Sequence, residues 1–107
     1  MLFRSRGAQV NKTGWTPLHY AVTGGKTKVA QWLLEQKADI NALSPNGTTP
    51  LMMAAHYGNP EVTRLLLNHG ADVQLKNQQG LTALDFARNG PHDESAQVIE
   101  VALKLKR

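Results

Sequence analysis

The chain contains no cysteine, and only 6% of its 107 residues are aromatic. Without cysteine it can form no disulfide, no thiolate-ligated zinc site and no dithiol redox motif, although this absence is compatible with any compartment. Long hydrophobic runs are also missing, since the longest is the five residues Leu51–Ala55. A helix needs about 20 apolar residues to cross a bilayer, so we expect no membrane span.

The body of the chain carries no excess of positive charge. The formal net charge is +4, from twelve Lys and Arg against eight Asp and Glu. Half of the cations lie near the two ends: Arg4, Arg6, Lys12, Lys104, Lys106 and Arg107. Between residues 13 and 103, six cations stand against eight acidic residues, so no basic stripe predicts nucleic-acid binding. We interpret the terminal charge as solubilising; a terminal contact with nucleic acid or an anionic surface is the alternative.

A segment of eight residues occurs three times at a spacing of 33 residues. Residues 14–21 read GWTPLHYA, residues 47–54 read GTTPLMMA, and residues 80–87 read GLTALDFA. The same period aligns residues 32–34 with residues 65–67 and 98–100. Three units in register therefore cover residues 11 to 107, and a period of this length indicates stacked structural repeats.

Each unit is predicted to contain two short helices. Thr is a favoured helix cap and Pro is favoured at the first helical position, so Thr-Pro pairs mark helix starts. The predicted helices run near 17–24, 27–36, 50–57, 60–68 and 94–105, the last with Asp93 as its cap. Gly70 suits a left-handed residue after a helix. Lys37 stands at the equivalent position of the first unit, where that conformation costs about 1 kcal/mol, so this helix end is predicted to be weaker or differently shaped.

Helices of this length are marginal alone in water, so neighbouring units must stabilise them. The period predicts one buried stripe from Leu18, Leu51 and Leu84. It predicts a second buried stripe from Trp32, Leu33, Leu65, Leu66, Val98 and Ile99. The small side chains Ala21, Ala54 and Ala87 allow the paired helices to approach closely.

The Thr16-Pro17-Leu18-His19 tetrapeptide, followed by Ala21 and repeated with a 33-residue period, resembles the ankyrin-repeat family. The style of the repeats looks most like small bacterial ankyrin proteins, or a fragment of one. The resemblance implies an all-α repeat solenoid in which helix pairs are joined by β-turn fingers. It implies a single domain over residues 1–107, with a partial unit at 1–10 and repeats at 11–43, 44–76 and 77–107. Because residues 2–11 resemble the last half of a unit, we expect further units on the N-terminal side of the natural protein.

In this family the Thr–His pair of the tetrapeptide usually forms a hydrogen-bond network between units. The resemblance therefore implies a structural role for His19. Met52 and Asp85 replace that histidine in the second and third units, so the sequence does not decide whether the network forms there.

The resemblance also implies a non-enzymatic protein–protein interaction module that binds a partner protein on its concave face. Carried over by position, the candidate contact residues are the finger tips Lys12, Thr13, Trp15, Pro45, Asn46, Thr48, Gln78, Gln79 and Leu81, the finger bases Leu43 and Lys76, and the helix positions Thr23, His56, Tyr57 and Asn89. The partner's identity stays open, and we expect a monomer. The alternative function is a structural subdomain that packs against the rest of a longer ankyrin-repeat protein. The sequence leaves the compartment open: we expect a soluble protein that is cytoplasmic or, if the natural precursor has an N-terminal signal, periplasmic.

Two aromatic residues stand out among these candidates, because amphipathic aromatics dominate binding hot spots. Trp15 is a candidate contact, or it folds over the first finger, which is three residues shorter than the second. Tyr57 is a candidate contact, or it covers a neighbouring helix.

No catalytic, cofactor or metal site is predicted. Residues 24–27 read GGKT and end like a phosphate-binding loop, but the first glycine of that motif would fall on Tyr20. The four histidines share no metal-ligand spacing. Asp93 and Glu94 are better interpreted as a helix start than as an acid/base pair. We therefore predict no enzyme activity, no cofactor and no small-molecule substrate.

Overall fold

The structure, a computed structural model, describes residues 15–57, 60–90 and 93–105. This part of the chain contains no strand and six helices: α1 (Pro17–Thr23), α2 (Thr27–Glu35), α3 (Pro50–Tyr57), α4 (Pro60–Asn68), α5 (Ala83–Asn89) and α6 (Asp93–Leu105). Within these ranges, none of the helices has the length and hydrophobicity that crossing a bilayer requires. The predicted partial unit at 1–10 and the short first finger lie outside the described residues.

The helices form two layers that follow the order of the chain. The first helices of the units, α1, α3 and α5, pack side by side, and the second helices, α2, α4 and α6, pack along them. Each first helix also contacts the second helix of its own unit. Contacts therefore run within a unit and between neighbouring units, which is the architecture of an all-α repeat solenoid.

The helix starts follow from the threonines that precede them. Thr16 Oγ1 accepts the backbone N–H of His19 at 3.3 Å, and Thr82 Oγ1 accepts that of Asp85 at 3.3 Å. Thr49 Oγ1 accepts the N–H of Met52 at 3.2 Å. The predicted helix bounds agree with the structure to within one residue. The last helix begins at Asp93, so the residue predicted as its cap is its first residue.

The ends of α2 and α4 have the same shape despite their different residues. Lys37 has a φ of 68° and Gly70 a φ of 90°, so both are left-handed. The Lys37 N–H donates to the Leu34 carbonyl at 3.0 Å, and the Gly70 N–H donates to the Leu67 carbonyl at 3.1 Å. The expectation of a different shape at Lys37 was wrong, because the repeated hydrogen bonds hold a lysine in the conformation that suits glycine.

The core runs along the interior of the stack. Leu33, Leu66 and Ile99 are at most 1% exposed, and Ala54 and Ala87 are fully buried. Leucines at the start of the first helices contribute from the other layer: Leu18 and Leu51 are buried, and Leu84 packs partly buried against them.

Trp32 corrects one sequence prediction. It was assigned to the buried stripe, but 41% of the residue is exposed. The equivalent residues Leu65 and Val98 are partly buried. They have a preceding unit beside them, whereas no described helix precedes α1.

Candidate protein-binding surface

Two loops project between the helix pairs and form the predicted fingers. In the first, the Ser44 N–H donates to the Thr48 carbonyl at 2.9 Å and the Gly47 N–H donates to the Ser44 carbonyl at 2.8 Å. Gly47 has a φ of 80°, which glycine adopts without strain. The Ser44 hydroxyl also donates to the Asn46 side chain. Each of these bonds closes a tight hairpin that holds the loop in one conformation.

The second finger repeats this hairpin with a buried asparagine in place of serine. The Asn77 N–H donates to the Leu81 carbonyl at 3.0 Å. Asn77 Oδ1 accepts the N–H groups of Gln79 at 2.9 Å and Leu81 at 3.0 Å. Both fingers are therefore stabilised from their bases by a small polar side chain.

The two fingers are joined to each other. The Gln78 N–H donates to the Asn46 carbonyl at 3.0 Å, and Gln78 Nε2 donates to the Pro45 carbonyl at 3.1 Å. A Cβ atom on Gly47 would lie 3.4 Å from Asn77 Cα and from Gln78 N. The tips of the two fingers are thus connected through their backbones. The side-chain amide of Gln78 contributes one of the hydrogen bonds between them.

His19 links the first unit to the second. Its Nε2 lies 2.8 Å from the Thr48 carbonyl oxygen, which can only accept. On the other side of the ring, Nδ1 accepts the Thr16 N–H at 3.1 Å and lies 2.9 Å from Thr16 Oγ1. These partners select the neutral imidazole with its proton on Nε2. The network implied by the resemblance is present at this unit boundary.

Burial acts on the protonation of this histidine. Desolvation lowers the pKa of His19 below its usual value, while the hydrogen bond to the Thr48 carbonyl opposes that shift. Both the low pKa and the Thr16 donor facing Nδ1 favour the neutral ring.

Different contacts connect the second unit to the third. Met52 stands at the position of His19, and its sulfur accepts the Thr49 N–H at 3.4 Å. His56 lies one helical turn later, with Nδ1 3.3 Å from the Phe86 carbonyl oxygen and its ring 6.2 Å from the Phe86 ring. Gly90 also contacts this histidine so closely that a Cβ atom there would lie 2.9 Å from the His56 carbonyl oxygen. His56 therefore has a structural role at this boundary.

In the third unit, Asp85 takes the histidine position and closes a local capping box. Its Oδ2 accepts the Thr82 N–H at 2.9 Å and the Thr82 hydroxyl at 3.1 Å. The backbone hydrogen bond from Thr82 is the main cause that lowers the pKa of Asp85, and burial opposes it. The Thr82 hydroxyl, Arg88 and Lys76 lower this pKa further.

Aromatic side chains lie beside an open cleft of about 230 Å³ where α1 meets α3. The cleft is lined by Trp15, His19, Tyr20, Thr23 and Met53. The Trp15 ring packs edge-on against the His19 ring at 5.3 Å, yet 44% of Trp15 is exposed. The cleft is thus apolar, open and bordered by an aromatic residue whose position is set by the buried His19.

Tyr57 has a similar arrangement at the end of α3. Its ring lies 4.3 Å from the His56 ring at 79°, and 57% of the residue is exposed. His56 is itself packed between Tyr57 and the third unit. One side of Tyr57 is therefore supported while the rest faces solvent.

Comparison with sequence models of protein families agrees with this geometry. A model described as "Ankyrin repeat" matches residues 13–45, and one described as "Ankyrin repeats (many copies)" matches residues 35–87. The chain belongs to the ankyrin-repeat family. Ankyrin repeats generally mediate protein–protein interactions, and the family is typically non-enzymatic. A search of curated proteins found no match.

The positions that ankyrin repeats suggest for partner contact differ in their exposure. Exposed candidates are Trp15, Leu43, Pro45, Asn46, Tyr57, Lys76, Gln78, Gln79 and Asn89. Partly buried candidates are Thr23, His56 and Leu81. Lys12 and Thr13 lie outside the described residues. Thr48 is only 2% exposed, so its side chain is not available for contact in this conformation. Its carbonyl oxygen accepts a hydrogen bond from His19.

Sequence reasoning missed Tyr20 and Met53, which line the cleft beside Trp15. Tyr20 is 67% exposed. The sequence did contain a signal, because the residue before the repeated alanine is large in every unit: Tyr20, Met53 and Phe86. Whether this large residue is covered or exposed depends on the neighbouring unit, and the repeat period does not give that information.

A larger open groove of about 530 Å³ lies between α4 and α6. Aliphatic residues such as Leu67, Val73 and Val98 line it. None of the candidate contact residues does, so this groove is not part of the candidate surface.

Proposed function

We propose that this ankyrin-repeat chain binds another protein through its concave face, formed by the finger tips and the outward positions of α1, α3 and α5. The general role of ankyrin repeats in protein interaction supports the class of function. No small-molecule substrate, cofactor or nucleic acid enters this proposal.

The observation that carries the proposal is a pair of exposed aromatic residues held on structural histidines. Trp15 packs on His19 and Tyr57 packs on His56, and both remain about half exposed, at 44% and 57%. An aromatic side chain whose position is already restricted loses little entropy when a partner covers it. Such residues are the usual hot spots of protein interfaces.

The chemistry of the finger tips suggests how the partner is recognised. Asn46, Gln78 and Gln79 are exposed, polar and uncharged. Hydrogen bonds and aromatic packing should therefore determine affinity, and the association rate should depend only weakly on salt.

Photo-crosslinking in the source cell tests the position of the interface. A photoreactive phenylalanine is placed at Tyr57 or Gln79 and, as the matched control, at Glu35, which is exposed on α2. We expect Tyr57 and Gln79 to capture the same protein and Glu35 not to capture it. Crosslinking of one protein mainly from Glu35 would place the interface on the other layer and reject the proposal.

Affinity for the captured protein tests the two aromatics. We expect Trp15→Ala and Tyr57→Ala each to weaken binding by about tenfold or more, while circular dichroism stays unchanged. Unchanged affinity for both variants would reject the hot-spot assignment.

The alternative function, a structural subdomain within a longer ankyrin-repeat protein, is favoured by a different observation, namely the exposed apolar residues of the first unit.

A further inference from the structure

Asparagine followed by glycine occurs twice in the chain, at Asn46-Gly47 and at Asn89-Gly90. In this dipeptide an asparagine side chain reacts readily with the next backbone nitrogen, because glycine has no side chain to obstruct the approach. Both asparagines are exposed. The dipeptide alone therefore makes the two sites equivalent, whereas their surroundings in the structure differ.

The reaction needs no reagent other than water. The glycine N loses its proton and attacks the asparagine Cγ; the N–Cγ bond forms, the Cγ–Nδ2 bond breaks, and ammonia leaves with the proton. Water then opens the five-membered succinimide at either carbonyl and gives aspartate or isoaspartate. The glycine N and Cγ must first approach to about 3–3.5 Å, so any contact that holds either group away slows the reaction.

At Asn46, three hydrogen bonds restrain the reacting groups. The Ser44 hydroxyl donates to Asn46 Oδ1 and holds the side chain. The Gly47 N–H, which would become the nucleophile, donates to the Ser44 carbonyl at 2.8 Å. The Asn46 carbonyl accepts the Gln78 N–H at 3.0 Å from the second finger. Reaction at Asn46 therefore requires the finger to open.

Asn89 is restrained much less. It is the last residue of α5, and helix ends fray at little cost in free energy. The Gly90 N–H donates to the Ala87 carbonyl at 3.3 Å, which is longer than a usual backbone hydrogen bond. Within the described residues, no hydrogen bond holds the Asn89 side chain. Opening of one helical turn is therefore enough for the two reacting groups to meet.

The product at Asn89 does not fit the packing around it. A Cβ atom on Gly90 would lie 2.9 Å from the His56 carbonyl oxygen and 3.1 Å from His56 Nδ1, so this backbone has no room to shift towards His56. Isoaspartate lengthens the main chain by one methylene directly before Gly90. Both products also place a carboxylate at the C-terminal end of a helix, where negative charge is unfavourable.

We propose that Asn89 is a site of spontaneous isoaspartate formation, that the first finger protects Asn46 from the same reaction, and that the change at Asn89 loosens the boundary between the second and third units. His56 is the residue through which the loosening acts. Its Nδ1 lies 3.3 Å from the Phe86 carbonyl oxygen, and Gly90 packs against its backbone. The reaction involves no partner, so it is independent of the proposed protein binding.

Peptide mapping measures both sites in one sample of the 107-residue chain. The chain is incubated in mildly alkaline buffer, which increases the reactive deprotonated amide, and is then digested with trypsin. Asn46 lies in the peptide 38–64 and Asn89 in the peptide 89–104, and isoaspartyl methyltransferase labels the isoaspartate in each. We expect Asn89 to convert about tenfold or more faster than Asn46 in the folded chain, and the two rates to agree within about threefold in concentrated urea.

Ser44→Ala tests the cause of the protection. Loss of the hydroxyl frees the Asn46 side chain, so conversion at Asn46 should become about threefold to tenfold faster while conversion at Asn89 stays unchanged. Circular dichroism checks that this variant is folded. In the matched controls, glutamine would have to close a larger ring that forms more slowly. Asn89→Gln should therefore remove most of the converted product from the whole chain, and Asn46→Gln should remove little.

Thermal unfolding tests the consequence for the boundary. The isoaspartyl chain is separated by chromatography and compared with the fresh chain and with Asn89→Asp, which carries the same charge on a normal backbone. We expect a lower Tm for both, and a Tm lower by a further 3 °C or about that for the isoaspartyl chain, because only its main chain is longer.

Conversion at Asn46 that is as fast as at Asn89 in the folded chain would overturn the proposed protection. A folded chain in which Asn89 stays intact, although it converts in urea, would remove Asn89 as a modification site. An isoaspartyl chain that unfolds at the same temperature as Asn89→Asp would show that the contact between Gly90 and His56 tolerates the longer main chain, and the proposed loosening would then be wrong. Partner affinity, measured on the fresh chain, shows separately whether the proposed function holds.

Discussion

The two ends of the stack, as far as the structure describes them, are built from the same repeat but present different surfaces. At the N-terminal end, Tyr20, Val29 and Trp32 leave apolar area in water. At the other end, Arg88 and Glu100 form an ion pair whose side chains are 59% and 44% exposed. In a solenoid, a polar outer face ends the stack, whereas an apolar face is suited to a neighbour. We therefore expect a few side chains at fixed register positions to determine whether an end of the stack can bind a neighbouring unit.

The middle unit differs from both ends because it is packed on two sides. Its second helix, α4, contacts both α2 and α6. Leu33, Leu66 and Ile99 occupy the same position in the three units and are all at most 1% exposed. Equal burial does not imply equal energetic consequences, since the number of interfaces that each helix supports is different.

The largest predicted effect comes from the centre. Leu66→Ala should lower the free energy of unfolding by about 2–5 kcal/mol, because it leaves a cavity in a fully buried site. Leu33→Ala should cost less, since α2 has one described neighbouring unit and α4 has two. Urea unfolding measures both variants, with Leu105→Ala, at an 80% exposed site, as the control. If Leu66→Ala and Leu33→Ala lower the free energy of unfolding equally, the number of neighbouring units does not determine the cost.

A pair of register-equivalent glycines compares the two ends directly. A Cβ atom on Gly90 would lie 2.9 Å from the His56 carbonyl oxygen, whereas one on Gly24 would meet nothing closer than 3.6 Å. Gly90→Ala should therefore cost about 1–3 kcal/mol through overpacking. Gly24→Ala should change stability by no more than about 0.5 kcal/mol. Thermal unfolding compares the two, and similar Tm values for both variants would mean that α3 and α5 are not tightly packed at Gly90.

Much of this fold could be predicted from the sequence because its signals are local and repeated. Thr16 and Thr82 cap helices through side-chain bonds three residues away, so their meaning survives without tertiary information. The left-handed end after α4 was likewise predictable from Gly70, whereas the same conformation at Lys37 was not. The domain boundaries and the contact residues stay predictions.

What could not be predicted depends on neighbours rather than on the chain itself. The period places Trp32 on the same side of its helix as Leu65, but it does not tell whether another unit lies against it. Thr48 was assigned to a finger tip by position, yet it is buried and its carbonyl accepts from His19 of the preceding unit. The bond from His56 to the Phe86 carbonyl likewise joins residues 30 positions apart. Such contacts are properties of the stack.

Acidification should weaken the first unit before the third. The folded pKa of His19 is lowered, so below the unfolded value of about 6.5 the unfolded state binds a proton that the folded state does not. Stability from this group is therefore complete above that pH and is lost as the pH falls below it. The folded pKa of Asp85 is also lowered, from 3.8, so its contribution is complete above that pH and is lost only in stronger acid.

Urea unfolding between pH 7 and pH 5 tests this order. His19→Met introduces the residue that the second unit carries at this position, and it should flatten the pH dependence of the unfolding free energy. Asp85→Asn should leave the dependence in that range unchanged. A pH dependence unaffected by His19→Met would show that other groups cause it.

Only a small effect on stability is expected at the C-terminal end. Arg88→Ala should cost less than about 1 kcal/mol, because exposed ion pairs are weak, and added salt should reduce that cost further. If the pair does close the stack, its role concerns association rather than stability. Replacing it by the apolar residues found at the same positions of the first unit, Arg88→Val with Glu100→Leu, separates these two roles.

The double variant should remain folded and begin to associate head to tail, because its new apolar end can now cover the exposed side chains of Tyr20, Val29 and Trp32 in another copy. A contact between unlike ends does not close on itself, so sedimentation velocity should show species that grow with concentration. Adding Trp32→Asp to the same chain should return it to the monomer by placing a charge in that contact. A double variant that stays monomeric at all concentrations would mean that the ion pair is not what closes this end, and the contrast between the two ends would then rest on shape rather than on charge.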